Sequence, residues 1–241
     1  HQRYFTLIDH RDRMSNEFII VTNNSDEKKL IKLGNERVVE ARLSDAKFFW
    51  EKDISFNLIK QINKLKQVTF YENLGTVYDK SQRLRKMAYF ISDQLNLNKE
   101  KIELAASISK SDLVSGLVGE FPELQGVMGK YFALNQGFEE DVSSAVSDHY
   151  LPVSISSSVA KKPISYSLSM IDKLDTLVGF YLINQKPTSS KDPFALRRAA
   201  IGLLRTIIEN NLTIRITDLM EHSIKSYLDQ GVKETNTNVI K

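Results

Sequence analysis

Three basic residues, Lys80, Arg83 and Lys86, recur at every third position, and Arg85 stands among them. On a helix, residues three apart are neighbours, so this spacing predicts a cationic row, expected on the side opposite an apolar stripe and able to straddle phosphates. A second basic group follows. Arg198 and Arg205 are seven apart, about two helical turns, with Lys191 and Arg197 in or near the first turn of the same stretch. The free amides of that turn would assist an anion. The alternative for both groups is a solvated helix face with carboxylate partners elsewhere. Aromatic residues hardly interleave with these cations, so stacking on single-stranded bases is not indicated.

Acidic residues offer a second kind of chemistry. Asp172 and Asp175 lie three apart, Glu139 and Glu140 are adjacent, and two acids buried together shift each other's proton affinity. The plainer reading is that one caps or forms an ion pair while the other meets water. His149, in Ser147-Asp148-His149-Tyr150, has no second histidine within helical reach, so it reads as a hydrogen-bonded structural residue rather than a ligand. His1, His10 and His222 are the other histidines, and there is no cysteine. Disulfides, thiolate zinc sites and cysteine nucleophiles are therefore excluded, and a reducing compartment fits. The chain has no P-loop, Rossmann glycine fingerprint, nucleophile elbow or His-Glu-x-x-His pair.

The elements that must position these residues are mostly helical. Leu84, Met87, Ala88, Ile91 and Leu95 form one stripe; Ile102, Ala105, Ile108 and Leu113 form another after a turn at 96–99. Val39, Leu43, Ala46, Phe49 and Trp50 predict an earlier amphipathic helix, with start chemistry at Asn23-Asn24-Ser25-Asp26. Tyr4 to Ile8 and Phe18 to Thr22 read as a hairpin joined by a polar loop. Phe121-Pro122 breaks the helical pattern, and the serine-rich stretch 153–165 reads as a loop. Helix is expected again near Ser167, carrying Ile171, Leu174 and Val178 on one side. Asp192 is placed to cap a helix with Pro193 at its first position, and Leu196, Ala200, Leu203, Leu204, Ile207 and Ile208 trace its buried face. The tail from Gly231 to Lys241 is polar and expected to fray.

With 241 residues, 41% of them apolar and 26% charged, the chain can bury a large core. Its formal charge is only +3, so any attraction to nucleic acid must come from local patches. No apolar run approaches the roughly 20 residues that cross a bilayer. A first residue His1 rather than Met reads as a segment of something longer.

Several strings together resemble the β subunit of bacterial heterotetrameric glycyl-tRNA synthetase. They are Gly34-Asn35-Glu36-Arg37-Val38, Ala41-Arg42-Leu43-Ser44-Asp45-Ala46-Lys47-Phe48-Phe49, Lys110-Ser111-Asp112-Leu113-Val114, and Glu120-Phe121-Pro122-Glu123-Leu124-Gln125-Gly126. Further on come Asp172-Lys173-Leu174-Asp175-Thr176-Leu177-Val178-Gly179 and Lys186-Pro187-Thr188-Ser189-Ser190-Lys191-Asp192-Pro193-Phe194-Ala195-Leu196-Arg197-Arg198. The resemblance implies a cytoplasmic tRNA ligase of two α and two β subunits. The α subunit would carry the ATP, Mg and glycine chemistry, and the β subunit would supply tRNA(Gly) binding. It implies a mainly α fold: an α/β region over 1–65, a helical domain similar to the HD superfamily over 66–185, and a helical continuation over 186–241. HD phosphohydrolases hold metal with histidines and aspartates. By resemblance Ser111 stands where a dyad histidine would, beside Asp112, and Asp172 matches the final aspartate, so the metal set is broken. No cofactor and no catalytic residue are expected in this stretch. The tRNA-binding residues expected are Lys80, Arg83, Arg85, Lys86, Lys191, Arg197, Arg198 and Arg205. The rival readings are a metal-dependent phosphohydrolase using Asp112, Asp172 and His149, and a pure assembly scaffold.

Overall fold

A computed structural model describes residues 4–233. Among them are ten α-helices and two small antiparallel hairpins, which makes the chain mainly α. Two compact units divide the chain, residues 1–45 and 46–241. His1 and most of the tail expected to fray lie outside the described residues.

In the first unit, β1 (Phe5–Ile8) pairs with β2 (Met14–Ile19). The second strand starts four residues before the aromatic run that announces it. The Asp9 carboxylate accepts the backbone amides of Arg11 and Arg13 at 2.8 and 3.0 Å, which closes the turn directly after β1. Asp26 then accepts the amides of Ile31 and Lys32 at 2.8 Å each and so starts α1 (Leu30–Asp53), as its position predicts. The expected apolar face of α1 is incomplete. Leu43 is 65% exposed, and only from Ala46 onward do its apolar residues pack against a core.

In the second unit, α2 (Leu58–Gln61) leads through a 3-10 turn and the hairpin of β3 (Thr69–Tyr71) and β4 (Gly75–Thr76) into α3 (Val77–Leu95). Thr76 and Asp79 form a reciprocal capping box at the start of α3. Asn96, in the left-handed region at φ 51°, ends it, and Asn98 caps α4 (Lys99–Ile108). The two predicted stripes meet here: Leu84, Ala88, Ile91, Ile102, Ala105 and Ile108 are all fully buried. Next come α5 (Gly116–Glu120), α6 (Val127–Asn135), α7 (Glu140–Asp148) and α8 (Pro163–Leu182). α8 begins four residues earlier than expected because Pro163 fits a first helical turn.

The chain closes with α9 (Leu196–Glu209) and α10 (Ile216–Asp229). Asp192 does cap α9, accepting the amides of Leu196 and Arg197 at 2.8 and 3.0 Å, but Pro193 lies in the preceding turn rather than at the first helical position. Ala195, at φ 54°, takes the bend between them. Leu196 and Leu203 are buried, whereas Leu204 and Ile208 are 48% and 70% exposed, so the buried face of α9 is narrower than the sequence suggests. No helix among the described residues is long and apolar enough to cross a membrane.

Candidate functional site

Helices α3, α8 and α10 pack together, and the side chains at their junction are ionic. Asp175 of α8 is fully buried, and its two oxygens take Nε and Nη2 of Arg83 at 2.7 and 3.1 Å in a fork. Arg83 also donates to the Tyr227 hydroxyl (3.0 Å) and to Gln230 Oε1 (2.7 Å), with its guanidinium carbon 3.8 Å from the centre of the Tyr227 ring. Lys80 Nζ lies 3.2 Å from Asp175 Oδ2 and donates to Thr176 Oγ1 at 2.8 Å. Burial pushes the Asp175 carboxyl up, but Arg83 and Lys80 outweigh it and hold the group below its ordinary range.

One turn earlier on α8, Asp172 Oδ1 sits 3.2 Å from Lys80 Nζ and 3.3 Å from Lys110 Nζ. Neither contact has hydrogen-bond alignment, so these are close ion pairs, and the surrounding ammonium groups hold Asp172 ionised against burial. Lys110 also lies 2.7 Å from His149 Nε2. An ammonium can only donate, so Nε2 accepts, and Nδ1 carries the proton that it gives to the Val146 carbonyl at 2.9 Å. Burial first, then Lys110, push the imidazole well below its usual proton affinity, and the ring is neutral. Lys173 is satisfied by the carbonyls of His149 and Leu151 and by Ser169 Oγ, at 3.2, 2.6 and 2.8 Å. Burial lowers its pKa to about 8.

The resemblance to HD phosphohydrolases raises the question whether a metal fits these residues, and the donor set does not suit one. Lys110 places a fixed positive charge between the carboxylate and the imidazole that would have to reach the metal. Asp112 turns Oδ2 to the amides of Gly126 and Gly129, at 2.6 and 3.2 Å, and burial raises its proton affinity. Lys110, Ser111 and Asp112 lie in and beside a 3-10 turn after α4, which ends at Ile108 and so stops short of Leu113, the last residue of the expected stripe. Among the described residues no three His, Asp or Glu side chains gather as a metal site.

The structure separates the eight cations singled out in the sequence. Lys80 and Arg83 do not face outward; they are 4% and 0% exposed. The geometric reason is visible in the spacing. A three-residue step drifts about 60° around a helix, and Lys80, four before Leu84 and seven before Met87, falls on the apolar stripe itself. Arg85 and Lys86 are exposed but paired with Glu103 and Asp229, at 2.5 and 3.4 Å. Arg205 is paired with Glu209 at 2.8 Å and donates to the Ile155 carbonyl. Arg197 donates to the Thr188 carbonyl and Arg198, at 3.5 Å, to the Val153 carbonyl. Among the described residues neither arginine has a carboxylate partner, and the Lys191 side chain has no polar partner.

Arg198 stands at the edge of a cleft of about 610 Å³ whose wall includes Tyr150, Asp172, Lys173, Thr176 and Phe194. The cleft thus opens above the ionic centre, and residues from four separate stretches of chain meet in it. Nothing in the local sequence marks Lys110, Tyr150 and Lys173 as members of a site. The only signal is the charged group Asp172, Lys173 and Asp175 in the middle of a long helix with no other charged residue.

Fold and site together define a mainly helical protein with an internal ionic lock beside a cleft of mixed polar and apolar lining. The family model described as glycyl-tRNA synthetase beta subunit matches residues 1–241, and the chain belongs to that family. It is 42% identical to the glycine-tRNA ligase beta subunit of Colwellia psychrerythraea, over 100% of this chain and 35% of that protein. It is 44% identical to that of Clostridioides difficile (94% and 33%) and 42% identical to that of Rhodospirillum centenum (91% and 31%). The chain thus spans about a third of the length of these relatives.

Proposed function

We propose that this chain is a tRNA-binding, non-catalytic part of a glycine-tRNA ligase β subunit. It supports ATP-dependent glycylation of tRNA(Gly) carried out with an α subunit in a complex of two α and two β chains. ATP and Mg would be used by the complete enzyme, in the cytoplasm. The observation that carries this reading is the division of the cations: three basic side chains, Lys80, Arg83 and Lys110, are spent on the internal lock, while Lys191, Arg197 and Arg198 lie without carboxylate partners among the described residues where α9 begins. Such cations position an RNA backbone without reading its bases. The metal-dependent phosphohydrolase reading finds no support in the donor atoms around Asp172, and no observation favours the scaffold reading.

The test uses the complete ligase and tRNA(Gly). Lys191→Glu with Arg197→Glu should weaken tRNA binding and lower the slope of log affinity against log salt by about 1 for each phosphate no longer neutralised. The matched pair Arg85→Glu with Lys86→Glu, whose charges are already neutralised, should have a smaller effect. Unchanged affinity and slope in the first variant would refute the assignment.

A further inference from the structure

We infer that the cleft bordered by Arg198 receives a single unstacked nucleotide of the bound RNA; this rests on the tRNA-binding reading above. Its volume, about 610 Å³, lies within the usual range for small-ligand sites of roughly 300 to 1,000 Å³. The chemistry of its wall is mixed in the way a nucleotide is mixed. Phe194 stacks on Phe180 with ring centres 4.2 Å apart and meets Tyr71 edge to face at 5.2 Å, and its half-buried ring brings an aromatic surface to the wall of the cleft. The Tyr150 hydroxyl and the Gln125 side-chain amide, both in the lining, have no hydrogen-bond partner among the described residues and can read the edge of a base. Asp172 shows 13% of its side chain and is ionised, so it can only accept, which suits a ribose hydroxyl.

Charge decides the phosphate content. Arg198 and Lys173 face Asp172 and Glu123 in the lining, so the cleft is close to neutral. The three donors of Lys173 are already used on His149, Leu151 and Ser169, which leaves Arg198 as the donor for phosphate. One phosphodiester is accommodated; a triphosphate is not. These residues come from positions 123–125, 150, 172–176 and 194–198, so their juxtaposition is a property of the fold and invisible in the linear order.

Ultraviolet crosslinking of the complete ligase with tRNA(Gly), followed by peptide mass spectrometry, tests the assignment. A nucleotide adduct on the peptide carrying Tyr150 or Phe194 is expected, lost in Arg198→Ala, together with a roughly tenfold fall in tRNA affinity, the scale of one stacked and ion-paired nucleotide. Phe194→Leu keeps an apolar side chain against Phe180 and should also lose the adduct. If tRNA binds with unchanged affinity in both variants and adducts map only elsewhere, the cleft is not the site, while the RNA-binding reading stands. Saturable binding of free adenosine monophosphate in the cleft with no RNA adduct would overturn the RNA assignment as well. A ligase whose β subunit yields no tRNA adduct at all would remove both readings.

Discussion

Lys110 does with one ammonium what a metal would do with a coordination sphere: it holds the imidazole of His149 and the carboxylate of Asp172 at fixed positions, 2.7 and 3.3 Å away. The arrangement makes stability depend on pH. His149 is neutral and held well below the ordinary imidazole range by burial and by Lys110, whereas the unfolded chain binds a proton near pH 6.5. As pH falls below 6.5 the unfolded state takes up a proton that the folded state refuses, so stability present above that pH is lost, at up to about 1.4 kcal/mol per pH unit. Asp172 and Asp175, depressed by their cations, add losses only when pH drops below the ordinary aspartate value. Asp112, raised by burial, acts in the opposite sense. His149→Gln can keep both hydrogen bonds without titrating. Urea unfolding from pH 7 to 5 should therefore show a steep loss of stability in the parent and a flatter profile in the variant. Parallel profiles would mean that the imidazole is not the sensor.

At the scale of elements, the apolar stripes of α3 and α4 are legible in the sequence because helical periodicity is local: Leu84 to Ile91 and Ile102 to Ile108 are buried where their spacing puts them. The ionic lock is not. Arg83 finds Asp175 92 residues away and Tyr227 144 residues away, and no spacing rule links them. The basic residues themselves are easy to recognise, but three-residue spacing suggests a common outer face although Lys80 keeps step with Leu84. Close approach of α8 and α10 has its own residue requirement. A Cβ added to Gly179 would overlap the Tyr227 hydroxyl and stand 3.2 Å from Leu74 Cδ1. The hydroxyl cannot retreat freely, since it accepts from Arg83 and donates to the Asp175 carbonyl at 2.9 Å. Gly179→Ala should thus lose about 1 to 3 kcal/mol to overpacking, despite the better helix propensity of alanine. Chemical denaturation measures this, and a neutral or stabilising result would show that α10 shifts without cost.

For the molecule as a whole, the two compact units differ in what holds them. The first, residues 1–45, has a short hairpin whose Phe5, Ile8, Met14 and Ile19 are all at least half exposed. Among the described residues, the second contains every fully buried large side chain, from Leu58 to Tyr227, and the complete lock of Lys80, Arg83, Lys110, Asp172 and Asp175. Cooperative unfolding requires a shared core, and that core together with its ion pairs lies within residues 46–241. A chain beginning at Ala46 should therefore melt in one cooperative transition within a few degrees of the parent, by circular dichroism at 222 nm, because a loss of 1 kcal/mol shifts a domain of this size by only about 2 to 4 °C. The cations Lys191, Arg197 and Arg198 and the cleft beside them belong to this unit too, so the shortened chain should keep whatever RNA affinity the parent shows. A broad, non-cooperative melt would instead assign residues 1–45 a part in building the core.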